Sequence, residues 1–515
     1  MAKDRSFITS LKSFLRNLNP KMRVLLLIAV IVAVGLPLSL FLITSNDNGK
    51  TPSEAIVTSL LKDIDTYTSS SEPGTFVIFN NMLYFSAFNS THGRELWKTD
   101  GTTAGTAMVK DINVGTGGSQ ITELIVFNGA LYFSAYDDIH GRELWKTDGT
   151  AAGTVLVKDI NVGTASSDPA ELIIFNDALY FRASDDTHGQ ELWKTDGTPV
   201  GTVLVKDINT GPGGSSPSRF TIFNNEFYFN ALDNVHGIEL WKSNGTAAGT
   251  TLVKDINAGL EYSSPLGFIV FNNTLYFNAY DETYGRELWK SNGTAAGTVL
   301  VKDIWAGQGS SCPGTCTIFN GALYFMANDN INGYELWKSD GTGAGTLLVK
   351  DILGGAEGSG PTRLTVFNGA LYFDAFDTTF GRELWKSDGT TAGTILVKDI
   401  NEGTGGSYLL GFTIFNGALY FSAYNVTLGY ELWKSDGTTA GTILVKDINP
   451  GTGESQPSEM IIFNGAIYFS ALDSVHGREL WNTDGTADGT VLVKDINEAT
   501  EGSYPFAFTA FNNMF

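Results

Sequence analysis

The 515-residue chain has only two cysteines and five histidines, and its charge is short on the positive side: 33 lysines and arginines stand against 55 aspartates and glutamates, a formal net charge of −22. Cys312 and Cys316 fall in one Cys-Pro-Gly-Thr-Cys stretch, so no disulfide framework spans the chain. Two thiols without a nearby histidine also make a poor zinc site. An acidic surface repels nucleic acid and anionic lipid, which excludes a nucleic-acid partner and favours solubility or cation binding. There is no nucleophile–base pair, no phosphate loop opening a helix and no isolated pair of catalytic acids. No cofactor is expected, no metal site is expected, and the chain does not read as an enzyme.

Long apolar runs are equally scarce. One twenty-residue stretch, Val24 to Ile43, carries no charge and is long enough to cross a bilayer as a helix, with Pro37 tolerated inside it. Six basic residues and one acid precede it, so the remaining chain holds −27. The positive-inside rule then leaves residues 1–23 as a basic cytoplasmic segment and residues 24–44 as a transmembrane helix. Residues 45–56 become a polar linker and residues 57–515 an extracellular repeat domain. The run exceeds the core of a secretory signal and lacks a small-x-small cleavage site, which favours an uncleaved, single-pass anchor.

What the chain has is repetition. Trp97, Trp145, Trp193, Trp241, Trp289, Trp337, Trp385, Trp433 and Trp481 follow one another at 48-residue spacing with no insertion or deletion. A strict period means one supersecondary unit stacked on copies of itself. Within a unit such as residues 122–160, two β-prone runs flank Asn128-Gly129, a hairpin signal because both turn residues need positive φ. The loop Asp137 to Gly141 leads to a third strand, and Asp148-Gly149-Thr150-Ala151-Ala152-Gly153 turns the chain into a fourth. Strands such as Ala130 to Phe133 are apolar at successive positions and need cover on both faces. The expected fold is all-β: a β-propeller of four-stranded 48-residue blades, nine complete and a partial tenth, preceded by one transmembrane helix. The partial blade follows from ten Lys-Asp-Ile strands and ten Phe-Asn turns against nine Glu-Leu-Trp strands. Val57 to Ile64 and a strand near Phe508 would share it, in a slightly truncated ten-bladed design.

Residues 95–102, Glu-Leu-Trp-Lys-Thr-Asp-Gly-Thr, resemble the tandem-repeat family named for its ELWxxDGT motif, over residues 57–515. The resemblance implies secreted or surface-attached proteins with propeller-like repeats and supplies no catalytic residues. Asn244 and Asn292 depart from the motif's aspartate, so the carboxylate there reads as a turn former.

Several recurring side chains are candidates for function. Glu143 and Lys158, repeated in every unit, read as a cross-strand ion pair if the turn pairs Thr147 with Thr154. His92, His140, His188, His236 and His476 share a register that holds Tyr284, Asn332, Phe380 and Leu428 in other copies, which argues against metal. Asp137, Asp185, Asp233, Asp281, Asp329, Asp377 and Asp473 open the loop between the second and third strands, with Asn89 and Asn425 in two copies. With the Gly/Ser/Thr-rich connections between blades they form a candidate binding face, or simply start turns. Cys312 and Cys316 are candidates for a small disulfide loop, and Asn89, Asn244, Asn272, Asn292 and Asn425 begin Asn-x-Ser/Thr glycosylation sequons. The expected role is a membrane-anchored module for binding or adhesion to a glycan or surface protein. The alternative is a structural coat or spacer.

Overall fold

In the computed structural model, which describes residues 74–99, 105–463 and 465–494, the chain forms nine four-stranded antiparallel blades of a β-propeller. The first blade is β1 (Gly74–Phe79), β2 (Met82–Asn89), β3 (Gly93–Thr99) and β4 (Ala107–Lys110). The second is β5 (Thr122–Phe127), β6 (Ala130–Asp137), β7 (Gly141–Thr147) and β8 (Val155–Lys158), and the seven others repeat it. The predicted hairpins are present: Asn128 (φ 46°) and Gly129 (φ 74°) turn β5 into β6 with Phe127 opposite Ala130. The transmembrane run at residues 24–44, the segments flanking it, the strand Val57 to Ile64 and the strand near Phe508 all lie outside the described residues. Among the described residues no helix is long and apolar enough to cross a membrane.

Side-chain alternation explains why the blades stack. On β6, Leu131, Phe133 and Ala135 face blade one, where they meet Phe79, Tyr84, Leu96, Val109 and Ile112. The intervening Tyr132 faces blade three, with Phe127, Leu144, Val157 and Ile160. The same set recurs at the other consecutive pairs, so each blade donates one face to each neighbour. The nine tryptophans are buried as predicted, Trp145 being 5% exposed in the joint with the preceding blade. Their indole Nε1–H groups find no acceptor, a cost of about 1–3 kcal/mol each. Burying a ring of 150–250 Å² offsets it, at roughly 4–6 kcal/mol.

The first strands of successive blades are neighbours in space and form the inner side of the propeller. The β2–β3 turn and the connection from β4 into the next blade lie at one end of the sheet. Main-chain bonds tie them together: Ser167 N–H donates to Arg142 O at 3.0 Å and Ser184 N–H to Ser167 O at 2.7 Å. This end is the loop face.

Candidate binding face

The most regular charged residue of the repeat is placed where no ligand reaches it. Glu143 is fully buried; its Oε1 accepts from Asn161 N–H (3.2 Å) and Ser167 N–H (3.1 Å), and its Oε2 from Ile160 N–H (3.1 Å) and the Ser167 hydroxyl (2.6 Å). It thus fastens the connection into blade three. Burial pushes its pKa up to about 7, against the pull of these donors. The same glutamate–serine contact, at 2.5–2.7 Å, recurs at Glu95, Glu191, Glu239, Glu287, Glu335, Glu383 and Glu431.

The expected Glu143–Lys158 ion pair is not formed. Thr147 and Thr154 do meet, hydroxyl to hydroxyl at 2.7 Å, but β7 and β8 then slip by a one-residue bulge that sets Lys158 opposite Leu144. Lys158 crosses the joint instead, donating from Nζ to Thr202 O at 2.8 Å, 6.0 Å from the Trp193 ring centroid. Lys146 does likewise to Gly197 O at 2.8 Å. Both lysines are therefore fasteners between blades.

The seven aspartates stand at the start of the loop they were assigned to. Asp137 Oδ1 accepts from Ile139 N–H (2.9 Å) and His140 N–H (2.6 Å), and its Oδ2 lies 2.9 Å from His140 Nδ1. Asp185, Asp233, Asp281, Asp329, Asp377 and Asp473 accept from the corresponding main-chain donors. Asn89 does the same with an amide oxygen (2.7 Å from His92 N), which accounts for the Asp/Asn exchange. The histidine is a partner of this turn rather than of other histidines. The hydrogen bond that His188 Nδ1 donates to the Asp185 carboxylate raises the pKa of His188. Each aspartate serves its own blade, and among the described residues no group of three or more His, Cys, Asp or Glu side chains could hold a metal ion.

Cys312 and Cys316 are free thiols in this structure, not the expected disulfide. Cys316 packs into the joint between blades five and six, where burial pushes its pKa up to about 12, while Cys312 N–H donates to Arg286 O at 3.1 Å. The sequon asparagines Asn244, Asn272 and Asn292 are exposed, whereas Asn89 and Asn425 are half-buried in their loop turns. Asn244 Oδ1 accepts from Thr246 N–H at 3.1 Å, as Asp148 does from Thr150 at 2.8 Å.

What the period alone did not single out is the inner rim of the loop face. Each connection enters its blade through a residue with φ of 42–56°: Gln120, Asp168, Ser216, Ser264, Cys312, Gly360, Tyr408 and Gln456. Three residues later a second left-handed position carries Glu123, Glu171, Arg219, Gly267, Arg363, Gly411 or Glu459. These positions differ from copy to copy in a repeat whose Glu-Leu-Trp, Asp-Gly-Thr and Lys-Asp-Ile segments barely change. Non-glycine residues held there cost about 1–2 kcal/mol each, and such strain collects where loops have work to do. The signal was available by aligning the copies and reading where they disagree.

No family model matches the chain, and no curated protein matches it. Similar solved structures include the computationally designed protein Ika8, 13% identical, covering 70% of this chain and 96% of that one with a TM-score of 0.36. A puromycin hydrolase is 12% identical, covering 79% of this chain and 59% of that one, TM-score 0.34. A puromycin-hydrolyzing peptidase of Mycobacterium tuberculosis is 11% identical, covering 68% and 57%, TM-score 0.33. The chain thus spans less than two thirds of the length of either of these two proteins.

Proposed function

We propose that this chain is a non-catalytic binding module, held at the cell surface by its N-terminal apolar run, that presents the loop face of its propeller to a glycan or surface protein. The observation that supports this reading is the division of labour within the repeat. Among the described residues the shared glutamates and lysines are consumed in fastening connections and neighbouring blades, while variation concentrates at strained, solvent-facing positions of the inner rim. Loops carried on a rigid scaffold are how propellers and sandwiches build recognition surfaces without a catalytic constellation. The loop tips add exposed apolar side chains, among them Ile139, Ile331 and Val475, suited to a partner that covers them.

A coat or spacer role is the second reading, favoured by the identity of Thr390 to Ile400 with Thr438 to Ile448. A pull-down and a glycan array with the full chain in detergent separate the two. Retention of a defined partner, lost when inner-rim residues are changed, supports the module. A chain that retains nothing but assembles into ordered arrays on cells supports the coat.

A further inference from the structure

Blades seven and eight carry, at the inner rim, a group of side chains found in no other copy. On blade seven the second strand bears Asp374, where other copies have Ser86, Ser134, Arg182, Asn230, Asn278, Met326, Ser422 and Ser470. Asp374 is 2% exposed, and its Oδ2 accepts from Arg382 Nη1 at 3.2 Å and from Arg363 Nη1 at 3.4 Å. Its Oδ1 accepts from the Thr362 hydroxyl. One buried carboxylate therefore steers two guanidiniums. Arg382 spends its other donors on Gly360 O (2.9 Å) and Ser359 O (3.2 Å). Arg363, held at φ 58° and 40% exposed, makes its hydrogen bonds to Thr362 and Asp374 through Nη1, which leaves Nε and Nη2 for solvent.

Beside these cations stand tyrosines. Tyr408, at φ 45° and 53% exposed, is fixed through its neighbours: Ser407 N–H and Tyr408 N–H both donate to Arg382 O, at 2.8 and 3.4 Å. Tyr424 N–H donates to Ser407 O at 2.7 Å, and the Tyr424 and Tyr430 rings lie 5.3 Å apart. Ser455 N–H and Gln456 N–H donate to Tyr430 O at 2.8 and 3.0 Å, which brings the connection carrying Glu454 alongside Tyr430. Glu454 also accepts from Gln456 Nε2 at 2.7 Å.

We infer that Arg363, Asp374, Arg382, Tyr408, Tyr430 and Glu454 form a carbohydrate subsite for a neutral pyranose. This rests on the loop face being a binding surface, and it names the ligand class. An exposed tyrosine ring offers a flat apolar surface to the C–H face of a sugar ring, with two rotatable angles to immobilise. The free Arg363 donors and the Glu454 acceptor meet hydroxyl groups, which need both. Charge selects neutral over acidic sugars. Two guanidiniums and two carboxylates sum to zero locally, on a chain of net charge −22 that repels a polyanion.

The test uses the full chain in detergent, titrated with cellohexaose, maltohexaose and xylohexaose, and with hexagalacturonate as the acidic arm. The variants are Tyr408→Asn and Arg363→Asn, because asparagine tolerates the left-handed backbone at both exposed positions. A control, Val155→Ala, alters an exposed side chain at the start of β8 on blade two, at the end of the sheet away from the loop face. Binding of at least one neutral hexasaccharide, weakened about tenfold or more by each inner-rim variant and unchanged by the control, supports the subsite. Neutral binding untouched by Tyr408→Asn overturns it, as does binding confined to hexagalacturonate. Absence of sugar binding, with a protein still captured through the loop face, overturns the subsite and leaves the binding-module reading standing. Absence of any partner overturns both.

Discussion

Glu143 and Ser167 are 24 residues apart, yet the serine hydroxyl donates to the carboxylate at 2.6 Å inside a site sealed from water. The contact closes the connection between blades two and three onto β7. The other donors there are the main-chain N–H groups of Ile160, Asn161 and Ser167, the last shared with Arg142 O. Glu143→Gln replaces one oxygen by NH2, so whichever way the amide turns, at least one main-chain N–H faces a donor. The expected loss is about 1–3 kcal/mol, localised at residues 160–167. Hydrogen exchange should show faster exchange of the Ile160, Asn161 and Ser167 amides, with distant blades unchanged; unaltered protection at these amides would show that the carboxylate does not hold the connection.

The pH dependence follows from the direction of the shift. In Glu95, Glu143, Glu239, Glu287, Glu383 and Glu431 burial raises the pKa from 4.5 to about 7 in the folded protein. Below pH 4.5 these groups are protonated in both states; as pH rises towards 7 the unfolded chain ionises first and is favoured. Stability therefore falls between pH 4.5 and 7 and levels off above. The neutral form is accommodated because a protonated Oε2 can donate to Ser167 Oγ, whose own hydrogen turns to Arg142 O at 3.5 Å. His188, raised by Asp185, acts in the same direction: its contribution is present below 6.5 and lost as pH rises through its folded value. Asp185, Asp233 and Asp473 have lowered pKa values and set the acid limit, since their contribution is lost as pH falls below 3.8. Urea midpoints from pH 3 to 8 should peak at about pH 4–5. A plateau rising to pH 8 would mean that the glutamates ionise normally.

Glu143 and Lys158 fasten different parts of the joint between blades two and three, which a double-mutant cycle can read. Glu143 acts on the connection after β8, and Lys158 acts on Thr202 in the next blade. Lys158→Met should cost about 1 kcal/mol through the lost bond to a carbonyl, with the Trp193 face still covered. The coupling between Glu143→Gln and Lys158→Met should stay within about 0.5 kcal/mol of zero. A larger coupling would restore the cross-strand ion pair.

The period, the strand pattern and the asparagine turns were legible because each depends on local chemistry repeated nine times. Burial of Trp145 followed from the same logic, since a strand with apolar residues on both sides needs two covers. The partner of Glu143 was not legible: a single bulge residue on β8 shifts the register, and no residue type in Val155–Lys158 announces a bulge. Nor could the sequence place Asp374 against Arg363 and Arg382, because that contact joins three strands whose residues at those positions vary. The disagreement between copies at Tyr408 and Arg363 was visible in the chain. Its meaning depended on finding both at left-handed positions on one rim.

Glycine supplies a final test, because two glycines with the same backbone sign have different surroundings. Gly129 turns β5 into β6 at φ 74°, and a Cβ added there meets nothing within 4 Å. Gly141, at φ 69°, starts β7 where the blade-two loop passes the connection, and a Cβ there would lie 2.6 Å from Ala165 O. Alanine at either position pays the left-handed penalty of about 1–2 kcal/mol. At Gly141 the clash is with main chain, which cannot rotate away as a side chain would. The connection that Glu143 holds must shift, and the bond from Ser167 N to Arg142 O at 3.0 Å shifts with it. Gly141→Ala should therefore cost at least about 2 kcal/mol more than Gly129→Ala and should expose the Ser167 amide to exchange. Equal losses in thermal unfolding of the two variants would mean that the loop face tolerates displacement, and that its rigidity as a recognition surface has been overstated.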